Sequence, residues 1–171
     1  IRDRCLSRGL GDVYKRQVLP DTLLTIEDQG FAYTSNLEEI DFGNSLVSLG
    51  KESFFATFSL KNLTIPDSVE EIGDYAFQYG RSLNSITIGD SVTSIGKRAF
   101  SNGNVLNKLV LGDSLREIGE RAFYACPELE VVSFPNSLRI IGASAFEGCS
   151  KLARISIPDS TTYLGENAFA N

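Results

Sequence analysis

Apolar positions return along this chain at a fixed interval. Leu stands at 37, 60, 83, 106, 129 and 152, and Phe at 31, 54, 77, 100, 123, 146 and 169, each 23 residues after the last. Gly keeps the same step at 50, 73, 96, 119, 142 and 165, with Glu27 in its place in the first unit. Periods of this length without insertions mark stacked repeats, and they take precedence over any local motif.

One unit, Leu60 to Ser82, serves as template. Leu63 and Ile65 alternate with Asn62 and Thr64, the period of a strand with one face buried. Pro66-Asp67-Ser68 then supplies a turn, because Pro presets φ and Asx side chains bond nearby backbone. Val69 and Ile72 bracket a second short extended piece, and Gly73 permits a bend before Ala76-Phe77, a segment compatible with a single helical turn. A lone unit of this kind buries too little to offset the ordering of its backbone, about 1 to 2 kcal/mol per residue. The units must therefore stack, and stability becomes a sum over neighbouring coils. The expected array is a weak first unit over 18–36 and units starting at 37, 60, 83, 106, 129 and 152, the last cut short at Asn171. Its final coil is expected to expose an apolar edge and to fray or self-associate there.

The run Leu63-x-Ile65-Pro66-Asp67-Ser68-Val69-x-x-Ile72-Gly73-x-x-Ala76-Phe77 resembles the BspA-like, or Treponema-type, leucine-rich repeat, and the likeness extends over about residues 18–171. Ser68 and its equivalents stand where leucine-rich repeats in general place Asn, so a Ser/Thr row replaces the asparagine ladder. The resemblance implies a leucine-rich-repeat solenoid of short parallel β-strands joined by turns. It also implies an extracellular or cell-surface protein, with adhesion and binding of other macromolecules as its role.

Composition narrows the chemistry. With 42% hydrophobic and 22% charged residues the 171-residue chain belongs among folded proteins, and no apolar run is long enough to insert in a membrane. The net charge of -6 divides into +3 over residues 1–17 (five basic, two acidic) and -9 over the remainder (eleven basic, twenty acidic), which disfavours nucleic acid as a partner. Residues 1–17 resemble translated sequencing-adapter text and are read as a non-native or disordered leader. There is no His, Trp or Met, which excludes His-dependent nucleophile pairs and His-ligated metals. No phosphate-binding glycine loop occurs. No catalytic residue, cofactor or metal site is assigned, and the chain is read as a non-enzyme.

Two columns admit alternatives. Asp21, Asn44, Asp67, Asp90, Asp113, Asn136 and Asp159 are either a cation-attracting row or turn caps, and turn chemistry is the stronger reading because the glycine-rich pattern of calcium-binding rolls is missing. Cys126 and Cys149, one repeat apart, are close enough for a disulfide, but the column also suits packed thiols, the favoured reading.

The candidate partner-binding face is the outward row of the first strand: Glu39 and Asp41, Asn62 and Thr64, Ser85 and Thr87, Lys108 and Val110, Val131 and Ser133, Arg154 and Ser156. Tyr75, Tyr79, Tyr124 and Tyr163, on the turns and second face, offer a competing surface. The expected partner is a protein or other extracellular macromolecule. The alternatives are a spacer carrying another domain and an accessory carbohydrate-binding segment.

Overall fold

The computed structural model describes residues 15–171 and shows a parallel β-solenoid whose first five coils each turn through two short strands and whose last two carry one. In chain order these are β1 (Arg16–Val18) and β2 (Thr25–Ile26), β3 (Glu39–Asp41) and β4 (Ser48–Leu49), β5 (Asn62–Thr64) and β6 (Glu71–Ile72). There follow β7 (Ser85–Thr87) and β8 (Ser94–Ile95), β9 (Lys108–Val110) and β10 (Glu117–Ile118), then β11 (Ile140–Ile141) and β12 (Tyr163–Leu164). Every pairing joins residues 23 apart, as in Asn62 to Ser85 to Lys108, so the sequence period is the hydrogen-bond register.

The first strand of the coil was the sequence's best-marked element, yet the second makes the continuous sheet. The even-numbered strands through β10, with β11 and β12, form one seven-stranded parallel sheet, while the first-strand ladder divides into β1-β3 and β5-β7-β9, prolonged by single bridges from Lys108 to Val131 to Arg154. The bond Leu19 N–H to Asp41 C=O recurs at Ile65 to Thr87 and Ile88 to Val110, but among the described residues not at Phe42 to Thr64 or Leu111 to Ser133. Both gaps adjoin a coil whose inward column holds Phe (Phe42, Phe134) where its neighbours hold Ile or Leu. Each of these rings packs edge-on against the main Phe row, Phe42 on Phe54 and Phe134 on Phe146, both at 5.6 Å. Phe42 leaves the pairing on its other side intact, where Leu19 N–H reaches Asp41 C=O at 2.8 Å.

The core is a single cluster running the length of the array. Its spine is the row Phe31, Phe54, Phe77, Phe100, Phe123, Phe146 and Phe169, with consecutive ring centroids 5.0 to 5.3 Å apart and planes within 10° of parallel. Rings that close and parallel must be laterally offset, the arrangement aromatic quadrupoles favour. Cys126 and Cys149 are buried free thiols; their Sγ atoms donate to Phe100 O and Phe123 O, one coil back.

Local details correct three expectations. The segment around Ala76-Phe77 is a run of turns and not a helical turn, because residues two and six beyond the glycine adopt left-handed φ, as Tyr75 (59°) and Tyr79 (63°) do. Each left-handed residue costs about 1 kcal/mol or more. Here it is offset by hydrogen bonds to the next coil, from Tyr75 N to Lys97 O and from Tyr79 N to Ser101 O. Gly73 is needed for close approach and not for a bend, since a Cβ on it would lie 2.6 Å from Gly50 C. The same holds one coil earlier, where a Cβ on Gly50 would lie 2.7 Å from Glu27 C, and Glu27 heads the column among the described residues. Finally, the turn aspartates do not cap their own turns: Asp21 Oδ1 accepts from Asn44 N, and Asp67 Oδ1 from Asp90 N.

The array also begins earlier than position 18. Lys15 O accepts Glu38 N and Glu39 N, and β1 pairs with β3, so residues 15–17 of the expected leader belong to the first coil. Residues 1–14 lie outside the described residues.

Candidate binding surface

Alternation within each first strand sends Leu63, Ile86 and Leu109 into the core and their neighbours outward. Every residue of the expected face lies on that outer side: Glu39, Asp41, Asn62, Thr64, Thr87, Lys108, Val110, Val131, Ser133, Arg154 and Ser156 are exposed, and Ser85 is half-buried. Register aligns them in two files, Asn62, Ser85, Lys108, Val131, Arg154 and Thr64, Thr87, Val110. Ser85 Oγ donates to Asn62 Oδ1 at 2.7 Å, tying two members of the first file together.

Arg16 and Val18 add a coil ahead of Glu39 and Asp41. From sequence, Arg16 falls in the expected leader and Val18 in the weak first unit, and neither is placed on the face. The available signal was arithmetic, since 16 and 18 lie one 23-residue step before 39 and 41, and the register pairs them so. Val18 is 63% exposed, and Arg16 Nε lies 3.7 Å from Glu39 Oε2.

Charge is graded along the face. Glu39 and Asp41 make its early part acidic, Asn62 to Thr87 are neutral, and Lys108 and Arg154 make the later part basic. On its flank Lys61 and Lys15 contact Glu38 at 2.7 and 3.1 Å, and hydrogen bonds from Lys61 first and then Lys15 hold the Glu38 carboxyl below its ordinary value. At the basic end Val131, 63% exposed, sits beside a shallow depression of about 320 Å³ lined by Glu130, Lys151, Ala153 and Arg154. Lys151 is held to Glu128 at 2.6 Å, a contact that raises its own pKa, whereas Arg154 is in no ion pair among the described residues.

The competing tyrosines do not form one surface. Tyr163 is exposed on β12, Tyr75 lies under Lys51 Nζ, and Tyr79 and Tyr124 are half-buried on the turns. The turn serines act structurally, Ser68 Oγ donating to Leu46 O and Ser137 Oγ to Leu115 O in the preceding coil. Among the described residues no group of three or more potential metal ligands assembles, and no helix is long and apolar enough to cross a membrane.

Known proteins place this geometry in a family. The BspA type Leucine rich repeat region matches residues 14–127 and 70–171, in six copies. A leucine-rich repeat protein of Treponema pallidum superposes with a TM-score of 0.83 at 28% identity, over 88% of this chain and 73% of that one. One from Eubacterium ventriosum gives 0.84 at 28% identity over 92% of this chain, which spans 42% of its length. A leucine rich cell surface protein of Faecalibacterium prausnitzii gives 0.59 at 26% identity over 83% of this chain and 47% of that one. No curated protein matches. With the repeat covering nearly the whole length and the coil geometry agreeing, the chain belongs to the BspA-type leucine-rich repeat family.

Proposed function

We propose that this chain is a protein-binding segment of a larger extracellular or cell-surface protein, acting as an adhesion scaffold and not as an enzyme, with its partner docked on the outer face of the first strands. The observation that carries this reading is the contrast between the two sides of those strands. Inward columns stay apolar from Leu19 and Ile40 onward, with Leu, Ile, Val or Phe at every coil, because the stacked core demands it. The outward pairs change at every coil, from Arg16/Val18 through Glu39/Asp41 to Lys108/Val110 and Arg154/Ser156, and their side chains are exposed. A regular scaffold carrying irregular exposed residues provides position-specific contacts without altering the fold.

The basic end is the centre of the proposed contact. Val110 and Val131, 43% and 63% exposed, adjoin each other across the files and are flanked by Lys108 and Arg154. An apolar spot between two cations suits a protein surface presenting an aliphatic or aromatic side chain beside carboxylates. The surface location draws support from the cell-surface description of the Faecalibacterium relative.

The test is binding of the chain to a panel of purified extracellular-matrix proteins, with a variant carrying Lys108→Glu, Val110→Thr, Val131→Thr and Arg154→Glu. Threonine retains strand propensity, so the melting temperature should hold while affinity falls at least about tenfold. Unchanged affinity in a folded variant would place the contact elsewhere.

A further inference from the structure

A polar pocket of about 260 Å³ lies on the turn segments that follow the glycine column, away from the first-strand files, between the third, fourth and fifth coils. Two arginines one repeat apart, Arg98 and Arg121, line it, and both are half-buried. The Nε of each is inaccessible to solvent and makes no hydrogen bond among the described residues. Neither guanidinium is in an ion pair among the described residues. The nearby carboxylate, Glu120, is engaged by Lys97 Nζ at 2.9 Å, and that hydrogen bond is the main reason its pKa is lowered, with Arg121 and Arg98 adding only at a distance.

Such an arrangement is costly as it stands. Unpaired buried donors on charged groups are destabilising, and stacking places the two arginines in adjacent coils, whose backbones lie about 4.8 Å apart. The backbone does not require arginine there: the equivalent residues Gln29, Glu52, Tyr75, Ser144 and Asn167 adopt the same left-handed φ. The remaining lining adds donors. Ser101, 1% exposed, accepts from Gln78 Nε2 at 2.9 Å and from Asn102 Nδ2 at 3.4 Å, which leaves its own proton without an acceptor among the described residues. Tyr124 lies beneath the Arg121 guanidinium at 5.6 Å and fixes it, while Tyr79 closes the other side.

We infer that this pocket binds an oxyanion, a carboxylate, sulfate or phosphate group on a ligand no larger than a monosaccharide. Arg98 and Arg121 donate to its oxygens through their terminal N–H groups, and Ser101 contributes a third donor. Planar guanidinium forks match such oxygens in pairs, which a lysine does not do. The net charge of -6 makes diffuse attraction of anions to this chain unfavourable, so any selectivity must be local. The site is independent of the strand face and stands or falls without it.

The test is NMR of the arginine Nε–Hε signals in the full chain, titrated separately with inorganic phosphate, sodium sulfate and glucuronate at constant ionic strength. The expected result is saturable shifts of the Arg98 and Arg121 signals with at least one probe. Arg98→Gln and Arg121→Gln should each weaken that binding at least tenfold, while Lys61→Gln, outside the pocket, leaves it unchanged. Tighter binding of glucuronate than of the inorganic anions would assign the oxyanion to an acidic sugar, and the reverse order to a free inorganic ion. Linear, unsaturable shifts with all three probes, or equal weakening by Lys61→Gln, would overturn the inference. Should a glutamine variant fail to fold, the wild-type titrations still decide.

Discussion

Asp67 Oδ1 accepts the backbone N–H of Asp90 at 3.0 Å, so a side chain in one turn satisfies a donor in the next. Asp90 does the same for Asp113, and Ser68 works in the opposite direction by donating to Leu46 O. These columns are therefore staples between coils. Replacing Asp67 by Ala should cost about 1 kcal/mol, the usual net worth of one hydrogen bond, and Asp67→Asn, which retains an acceptor oxygen, should cost less. Urea midpoints of the two variants check this; equal losses would show that the acceptor is not what matters.

The broken first ladder yields a second prediction. If the Phe134 ring holds its strand away from β9, then Phe134→Ile should let the Leu111 N–H reach Ser133 C=O, the bond its equivalents make at Ile65 and Ile88. Hydrogen exchange at the Leu111 amide should slow by about tenfold as local opening becomes less favourable. An unchanged rate would assign the gap to another cause.

The pH profile follows from ion pairs that are all at the surface. Glu38 and Glu120 have lowered pKa values in the fold, so what they contribute is present above the ordinary glutamate value of 4.5 and is lost as the pH falls through their folded values. Lys61 and Lys151 are raised, chiefly by hydrogen bonds to Glu38 and Glu128, so their contribution is present below 10.5 and is lost as the pH rises beyond it. With no histidine in the chain, the melting temperature should stay level between about pH 6 and about pH 9 and decline on either side, less steeply in high salt. A step near pH 6.5 in thermal melts would contradict this assignment.

The last coil presents an uncovered edge. Leu164 is 51% exposed, whereas Ile141 and Ile118, its equivalents in the preceding coils, are fully buried, and Ile155 and Ile157 are 40% and 38% exposed. The isolated 171-residue chain should self-associate through this edge, since β12 also leaves one side of its backbone unpaired. Ile157→Lys with Leu164→Lys should shift sedimentation toward the monomer. A wild-type chain that sediments as a monomer at high concentration would refute the idea.

The fold was legible in the sequence because a solenoid converts linear spacing directly into spatial order. A 23-residue step dictates which residue lies over which, so Leu63 beside Ile86, the single Phe row and the outward files could all be read from numbering. The outward residues followed from strand alternation alone, and all of them except the half-buried Ser85 are exposed. The same step, applied to Arg16 and Val18, would also have placed the first coil correctly; apparent foreign composition hid it.

What only three dimensions decided depends on contacts between coils whose outcome is set by size and direction, not by period. Phe42 and Phe134 occupy the column of Ile65 and Ile88 without distinction in the pattern, yet a ladder bond is missing beside each of them. Asp67 is a good turn residue in any sequence, but which amide it reaches depends on how the next coil is laid against it. Likewise, Arg98 and Arg121 are two unremarked charges in the linear text, and stacking alone draws them to one pocket and leaves their donors unmet. Periodicity determined the neighbours; packing determined what the neighbours do to one another.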